Sequence, residues 1–269
     1  MSTPIALYCK SYHRDVQRVR NLLDSVIKHN VDRIPFYVSV PSADKALFES
    51  KLGASGYSLI CDTDIIDVPS HVPGWLQQQI VKSSFWKLGV CRNYVCLDSD
   101  SEFIRPFRAS DFMFNDVPYT VMHEQHELFS WTCDKVNALG FDPSKSFAEC
   151  RLRIMTAFDR THGRLYDFGP SPVIWSSAVW KSFEEEYLTP AKMTLSQVLT
   201  EVPSEFTFYG EWLLASKAIP LLPIEPMFKV FHYQGQYTEM KARGVTLEQL
   251  SSVYMGVVMQ SNAYLPGKY

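Results

Sequence analysis

The feature that most constrains this chain is the alternation of short apolar runs with helical patterns over its first hundred residues. Ile5 to Cys9 is an apolar run of strand length. From Arg14 to Asn30, Val16, Val19, Leu22, Leu23, Val26 and Ile27 recur at helical spacing, which predicts an amphipathic helix. Phe36 to Val40 reads as a second strand, and Pro41-Ser42 opens a helix, Ala43 to Leu52, that Gly53 stops. Tyr57 to Cys61 predicts a third strand, Trp75 to Leu88 a helix ending at Gly89, and Tyr94 to Leu97 a fourth strand. Strands joined by helices pair in parallel, because the crossover helix carries the chain back to the same edge. The expected class is therefore α/β and Rossmann-like, with a mostly parallel central sheet flanked by helices. In such sheets ligands bind outside the carboxyl ends of the strands.

The second half is less regular. It predicts a strand at Tyr119 to Met122, a helical stretch within Asp142 to Phe158, a strand at Val173 to Ser176, and helices near Ala178 to Glu186, Gly210 to Ser216 and Thr246 to Tyr264. No repeat or linker-like tract interrupts the 269 residues, and 46% apolar content is enough to bury a large core. One domain is expected, residues 1–269, with 1–110 as a nucleotide-binding half and 111–269 completing the sheet and walling the site. A net charge of −3, spread along the chain, gives no electrostatic case for nucleic acid. Cys9, Cys61, Cys91, Cys96, Cys133 and Cys150 lack C-x-x-C spacing and read as reduced core residues of a cytoplasmic protein. No run approaches the ~20 apolar residues of a membrane span, and the start lacks the pattern of a secretion signal.

The fourth predicted strand runs into Asp98, Asp100 and Glu102. Closely spaced acids repel unless water screens them or a cation neutralises them, so this is either a solvated turn or a metal site. A strand-end Asp-x-Asp can turn two hard carboxylates toward one Mg²⁺ or Mn²⁺ that also takes diphosphate oxygens. Asp62-Thr-Asp64 also ends a strand, but it leads into a loop with Pro69 and Pro73, whereas Asp98 to Asp100 continues into an apolar segment that would anchor both sides of the turn. The first pair is expected to cap a helix or touch ligand, the second to hold the ion. Other metal patterns fail. An EF-hand would need Gly at 103 and Glu at 109, where Phe103 and Ala109 stand, and His123-Glu-Gln-His126-Glu127 has its histidines three apart rather than four.

Leu97-Asp-Ser-Asp-Ser-Glu-Phe-Ile-Arg-Pro-Phe107 resembles the metal motif of GT-A glycosyltransferases. Three further elements follow in the order of that fold. Gly169-Pro-Ser-Pro172 resembles the small-residue loop beside the donor, Tyr209-Gly-Glu-Trp212 the acidic motif under the acceptor, and Phe231-His-Tyr233 the histidine that completes the metal shell. Trp212 stands where many inverting members carry a second acid. The opening Ile5-Ala-Leu-Tyr-Cys-Lys-Ser-Tyr-His-Arg-Asp15 and the segment Gln78 to Gly89 are similar to GT-A domains of chlorella viruses that build capsid glycans. That likeness covers about the first 110 residues.

The resemblance implies a GT-A fold and a metal-dependent enzyme moving a sugar from a nucleotide sugar, such as UDP-glucose, UDP-xylose or UDP-rhamnose, to a glycan or glycoprotein. Its cofactor would be Mn²⁺ or Mg²⁺, held by Asp98, Asp100 and His232, and its location cytoplasmic, in the host cytoplasm if viral. Lys10, Ser11, Tyr12 and Arg14 end the first strand, where a nucleotide would rest, with Tyr12 stacking on a base. Lys82 shares helix faces with Gln78 and Phe85 and with Gln79 and Trp86, so it can approach the donor while the aromatics pack. Ser99 and Gly169 complete the donor set, and Glu124 and Glu127 would bond sugar hydroxyls. Glu211, read as standing at a helix start, would be the general base of an inverting reaction or position substrate in a retaining one. A D-x-D phosphohydrolase using an aspartate nucleophile and a non-catalytic carbohydrate-binding protein are the alternatives.

Overall fold

The computed structural model describes residues 2–134 and 143–260. Its centre is a five-stranded sheet in the order β3-β2-β1-β4-β9, formed by β1 (Thr3–Lys10), β2 (Phe36–Val40), β3 (Ser58–Cys61), β4 (Cys91–Leu97) and, later in the chain, β9 (Val173–Ser176). β1 to β4 run parallel, and β9 closes the edge antiparallel to β4 with Val95 opposite Ile174. The mixed α/β fold with a mostly parallel central sheet is thus the one expected from the β/α alternation.

These strands read as continuous apolar runs because helices cover both faces. Along β1 the alternation is complete. Ala6 and Tyr8 enter one core with Tyr94, Trp175 and Trp180, while Ile5, Leu7 and Cys9 enter the other with Val38, Val95 and Leu97. The helix Val16–His29 buries Val19, Leu22, Leu23 and Val26, the i, i+3, i+4, i+7 set of an amphipathic stripe. On the opposite face the helix Gly74–Ser84 buries Leu76, Ile80 and Val81, and a 3-10 turn, Phe85–Leu88, follows until Gly89 adopts φ 65°. Phe85 stacks on Tyr8 at 3.9 Å, and Trp86 packs against the same core, as the helical spacing predicted. The expectation that the cysteines are core residues holds for Cys9, Cys91 and Cys96 and is corrected for the others: Cys61 and Cys150 are partly exposed and Cys133 is exposed.

A second sheet positions the site. β5 (Ser101–Phe103), directly after the acidic turn, pairs antiparallel with β12 (Gly256–Met259), which pairs parallel with β11 (Phe228–Phe231). Between β5 and β9 the short strands β6 (Met113–Phe114), β7 (Val117–Pro118) and β8 (Thr120–Val121) cross the molecule, and β8 pairs with β10 (Pro223–Ile224). Tyr119 to Met122 thus shrinks to two paired residues. The helix expected over Thr246 to Tyr264 is corrected: only Leu247–Ser251 is helical and β12 takes up the next apolar residues. Its last four positions lie outside the described residues, as does Asp142, the first residue of the stretch Asp142 to Phe158 within which the helix Pro143–Ala157 was expected. Among the described residues no helix is long and apolar enough to cross a membrane.

Candidate functional site

The carboxyl ends of β1, β3 and β4 carry a row of alternating charges. Lys10, 6% exposed, ends β1, pairs with Asp62 at 2.9 Å and donates to the Ser11 carbonyl at 2.6 Å. Burial raises the pKa of Asp62, and Lys10 opposes that rise. Lys82, 4% exposed, is ion-paired to Asp98. Burial alone would strip its proton, yet the adjacent Asp98 carboxylate holds its pKa above the usual lysine value. The two D-x-D stretches are therefore both at the sheet edge, each matched to a lysine. Asp64 has a different role, since its carboxylate accepts the Cys61 N–H at 2.8 Å and caps the short helix Asp62–Ile65.

The Asp98 to Asp100 turn is anchored on both sides, as expected. The Asp98 carbonyl accepts the Ser101 N–H at 3.0 Å, Ser99 is buried, and the Phe103 N–H donates to Ser25 Oγ at 3.1 Å. Phe103 stacks on Phe107 at 3.9 Å beneath it. Across the turn, Ser171 Oγ donates to the Cys96 carbonyl at 2.9 Å, which ties the Gly169 to Pro172 loop to the end of β4. Gly169 is held by its N–H to Asp167 at 2.7 Å and by its carbonyl to His123 Nε2 at 2.6 Å. A Cβ there would lie 2.9 Å from Phe206.

His232 follows β11, and its side chain bonds to that of Gln260. The Met259 N–H donates to the Asp100 carbonyl at 3.1 Å and the Gln260 N–H to the Phe231 carbonyl at 3.2 Å, so the ends of β12 and β11 and the acidic turn lie side by side. Burial lowers the His232 pKa to about 4, leaving a neutral imidazole. Beside it opens a cavity of about 860 Å³ whose walls include His123, Glu124, Glu127, Arg164, Tyr166, Pro170 and Lys229. Glu124 pairs with Arg164 at 3.0 Å and Glu127 with Lys229 at 2.8 Å. His126 starts a helix, His126–Asp134.

Of the residues singled out from sequence, Glu124, Glu127 and His232 line this cavity, and Gly169 precedes its Pro170. Lys10, Ser11, Lys82, Asp98, Ser99 and Asp100 form the sheet edge, with Tyr12 and Arg14 exposed on the turn after β1. Glu211 requires correction. It sits in the middle of the helix Glu205–Ser216, not at its start, with a side chain 1% exposed. Arg160 clamps it, Nε reaching Oε2 at 2.7 Å while Nη2 bonds Oε1. Arg160 also donates to the Arg164 carbonyl at 2.8 Å and lies over the Tyr166 ring, so Glu211 supports a wall of the cavity through Arg160.

The acid at that helix start is Glu205, which sequence reasoning missed. It is 4% exposed, and burial pushes its pKa up to about 7 while the charge of Lys82 pulls it down. Its position as the first acid after Pro203-Ser204, where a carboxylate favours a helix N-terminus, was the available signal.

The implied metal can be tested against these donors. Two hard carboxylates and a neutral imidazole suit Mn²⁺ or Mg²⁺. Among the described residues no three His, Cys, Asp or Glu side chains are gathered closely enough to hold an ion, and the Lys82 ammonium sits on Asp98. The donors fit in kind, and holding an ion would require them to draw together and Lys82 to give up Asp98.

No curated protein matches the chain. Among solved structures, the apo form of WbbM, a bifunctional glycosyltransferase, superposes with a TM-score of 0.54 at 9% identity, over 97% of this chain and 46% of that one. The chain thus spans about half the length of WbbM, and the likeness is one of fold. A match over residues 3–261 takes in nearly the whole sequence, and the chain belongs to the family of unknown function DUF6492.

Proposed function

We propose that this protein is a metal-dependent glycosyltransferase that moves a sugar from a UDP-sugar to a glycan or glycoprotein acceptor. The observation that carries the reading is the row Lys10–Asp62 and Lys82–Asp98 at the carboxyl edge of a parallel sheet, tied by Ser171 on Cys96 and Met259 on Asp100 to the elements that wall a cavity of about 860 Å³, on a fold shared with a glycosyltransferase. A nucleoside diphosphate needs cations for its phosphates and a flat face for its base. Lys10, Lys82 and Arg14 supply the first, and Tyr12, 40% exposed, the second. Ser11, Ser99 and the Gly169 loop frame the diphosphate.

Asp98, Asp100 and His232 would hold Mn²⁺ or Mg²⁺, which would offset the charge building on the departing UDP. Lys82, released from Asp98, then faces the phosphates as a second buried cation. The acceptor lies in the cavity, where Glu124 and Glu127 bond its hydroxyls. Glu124 is the stronger candidate for general base, because its carboxylate reaches the cavity, whereas Glu211 is closed in by Arg160. Glu211 becomes a positioning residue for the Arg164 to Phe168 wall.

A viral capsid glycan as acceptor, and a cytoplasmic site of action, rest on the resemblance of the first 110 residues to chlorella-virus domains. The test is a panel of nucleotide sugars incubated with Mn²⁺, scored for release of nucleoside diphosphate. Release from a UDP-sugar that Asp98→Ala abolishes supports the reading, and release from none of the panel contradicts it.

A further inference from the structure

The cavity runs along the small sheet, and its wall carries Asp111 and Glu225 besides Glu124 and Glu127. At one end His232 lines the wall just past β11, beside the place where β5 begins and β12 finishes. At the other end the Ile104 N–H donates to the Met255 carbonyl and the Met255 N–H to that of Met227, both at 2.9 Å, and Arg105 follows at once. From Met227 to His232 the chain advances roughly 16 Å at the rise of a parallel strand. That length takes several linked sugar rings to span.

The cations in the cavity wall are not equivalent. Arg164 and Lys229 are each matched by a glutamate of the same wall. Arg105 has no ion-pair partner among the described residues, and its Nε is buried with no protein hydrogen-bond partner. A buried donor without an acceptor is unfavourable, and a guanidinium fork is shaped for carboxylate or phosphate. Arg105 is only partly exposed and faces the cavity beside Tyr254 and Met255, so a ligand lying along the sheet meets it at its far end.

We propose that Arg105 recognises an anionic group, a carboxylate or a phosphate, on an acceptor oligosaccharide whose reacting end lies near His232. The acceptor is then an acidic glycan, and Arg105 sets its specificity at a sugar remote from the transfer. This rests on the transferase reading of the cavity, and binding can be measured without turnover.

Calorimetry with Mn²⁺ and UDP present would compare maltotriose, trigalacturonate and maltotriose phosphate. Wild type is expected to bind at least one acidic probe roughly tenfold or more tightly than maltotriose, and the better of the two identifies the anion. Arg105→Ala should remove that preference and leave the affinity for maltotriose unchanged. Arg105→Gln, which keeps most of the stem, gives the same reading should the alanine variant melt early. Equal affinity of wild type for neutral and acidic probes, or no binding of any of them, overturns the inference, as does a preference that survives Arg105→Gln. UDP binding measured in the same samples separates the two claims. If UDP binds with Mn²⁺ and the acidic preference is absent, only the role of Arg105 falls. If UDP does not bind, the transferase reading falls, while the trisaccharide comparison still reports on Arg105.

Discussion

At the scale of single residues, the two Asp-x-Asp stretches have the same pattern and different roles. Asp100 lies in the turn anchored by Ser25 and Phe103, whereas Asp64 caps a short helix through the Cys61 N–H. Asp100→Ala should therefore cut turnover by about 10²-fold or more, as expected when a group stabilising transition-state charge is lost. Its melting temperature should hold, because one member of a repelling cluster is removed. Asp64→Ala should keep turnover and lose about 1 kcal/mol of stability with its cap. The reverse pattern in paired assays of turnover and melting would move the ion to the first stretch. His232 makes a prediction about pH. Its folded pKa of about 4 lies below the ~6.5 of an exposed histidine, so between those values the unfolded chain binds a proton that the folded chain does not. The stability owed to neutral His232 is complete above pH ~6.5 and is lost as pH falls toward 4. Glu205 tilts the other way, since its raised pKa of about 7 makes stability fall as pH rises through the window above the ordinary carboxylate range. Melting curves of wild type and His232→Gln isolate the histidine: the advantage of wild type should shrink from pH 7 to pH 4, and a constant difference would contradict the buried neutral imidazole.

At the scale of elements, the helix Glu205–Ser216 shows what a short motif cannot reveal. Tyr209-Gly-Glu-Trp212 reads locally as a helix entry because a glycine precedes an acid. The glycine answers instead to close packing, since a Cβ at Gly210 would lie 2.0 Å from the Phe168 ring. The entry is more than a turn earlier at Glu205, whose meaning depends on Lys82, distant in sequence. Glu211→Gln should lower stability by about 3–5 kcal/mol, because it leaves the Arg160 guanidinium short of its buried counter-charge. Turnover per folded molecule should change only modestly, and an intact fold with turnover down about 10²-fold would restore Glu211 as the base. The four parallel strands and their helices were legible because each strand carries a compact apolar run, such as Ile5 to Cys9 in β1 and Tyr94 to Leu97 in β4, and the helix after β1 keeps its apolar stripe. The small sheet was not. β11 and β12 are four residues each and exist through pairing with one another and with β5; the available signal was Gly256, which breaks the helical pattern before Val257 and where a Cβ would lie 2.1 Å from the Phe228 ring. Lys82 and Asp98 were both named from sequence, but their ion pair needs the register of β4 against the helix Gly74–Ser84.

At the scale of the whole molecule, the parallel sheet brings the ends of β1, β3 and β4 to one edge, and the small sheet brings His232 to the same edge from far along the chain. Neither half of the chain contains the site. The first contributes the charged row and Arg105, and the second the rest of the cavity wall, joined where Ser171 reaches Cys96 and Met259 reaches Asp100. The central claim is that this edge binds a nucleoside diphosphate together with a divalent ion. Titration of UDP into the protein by calorimetry, once with Mn²⁺ and once with chelator, tests it most directly. Binding that needs Mn²⁺ and disappears in Asp98→Ala is the predicted result, and equal affinity with and without the ion would contradict the account.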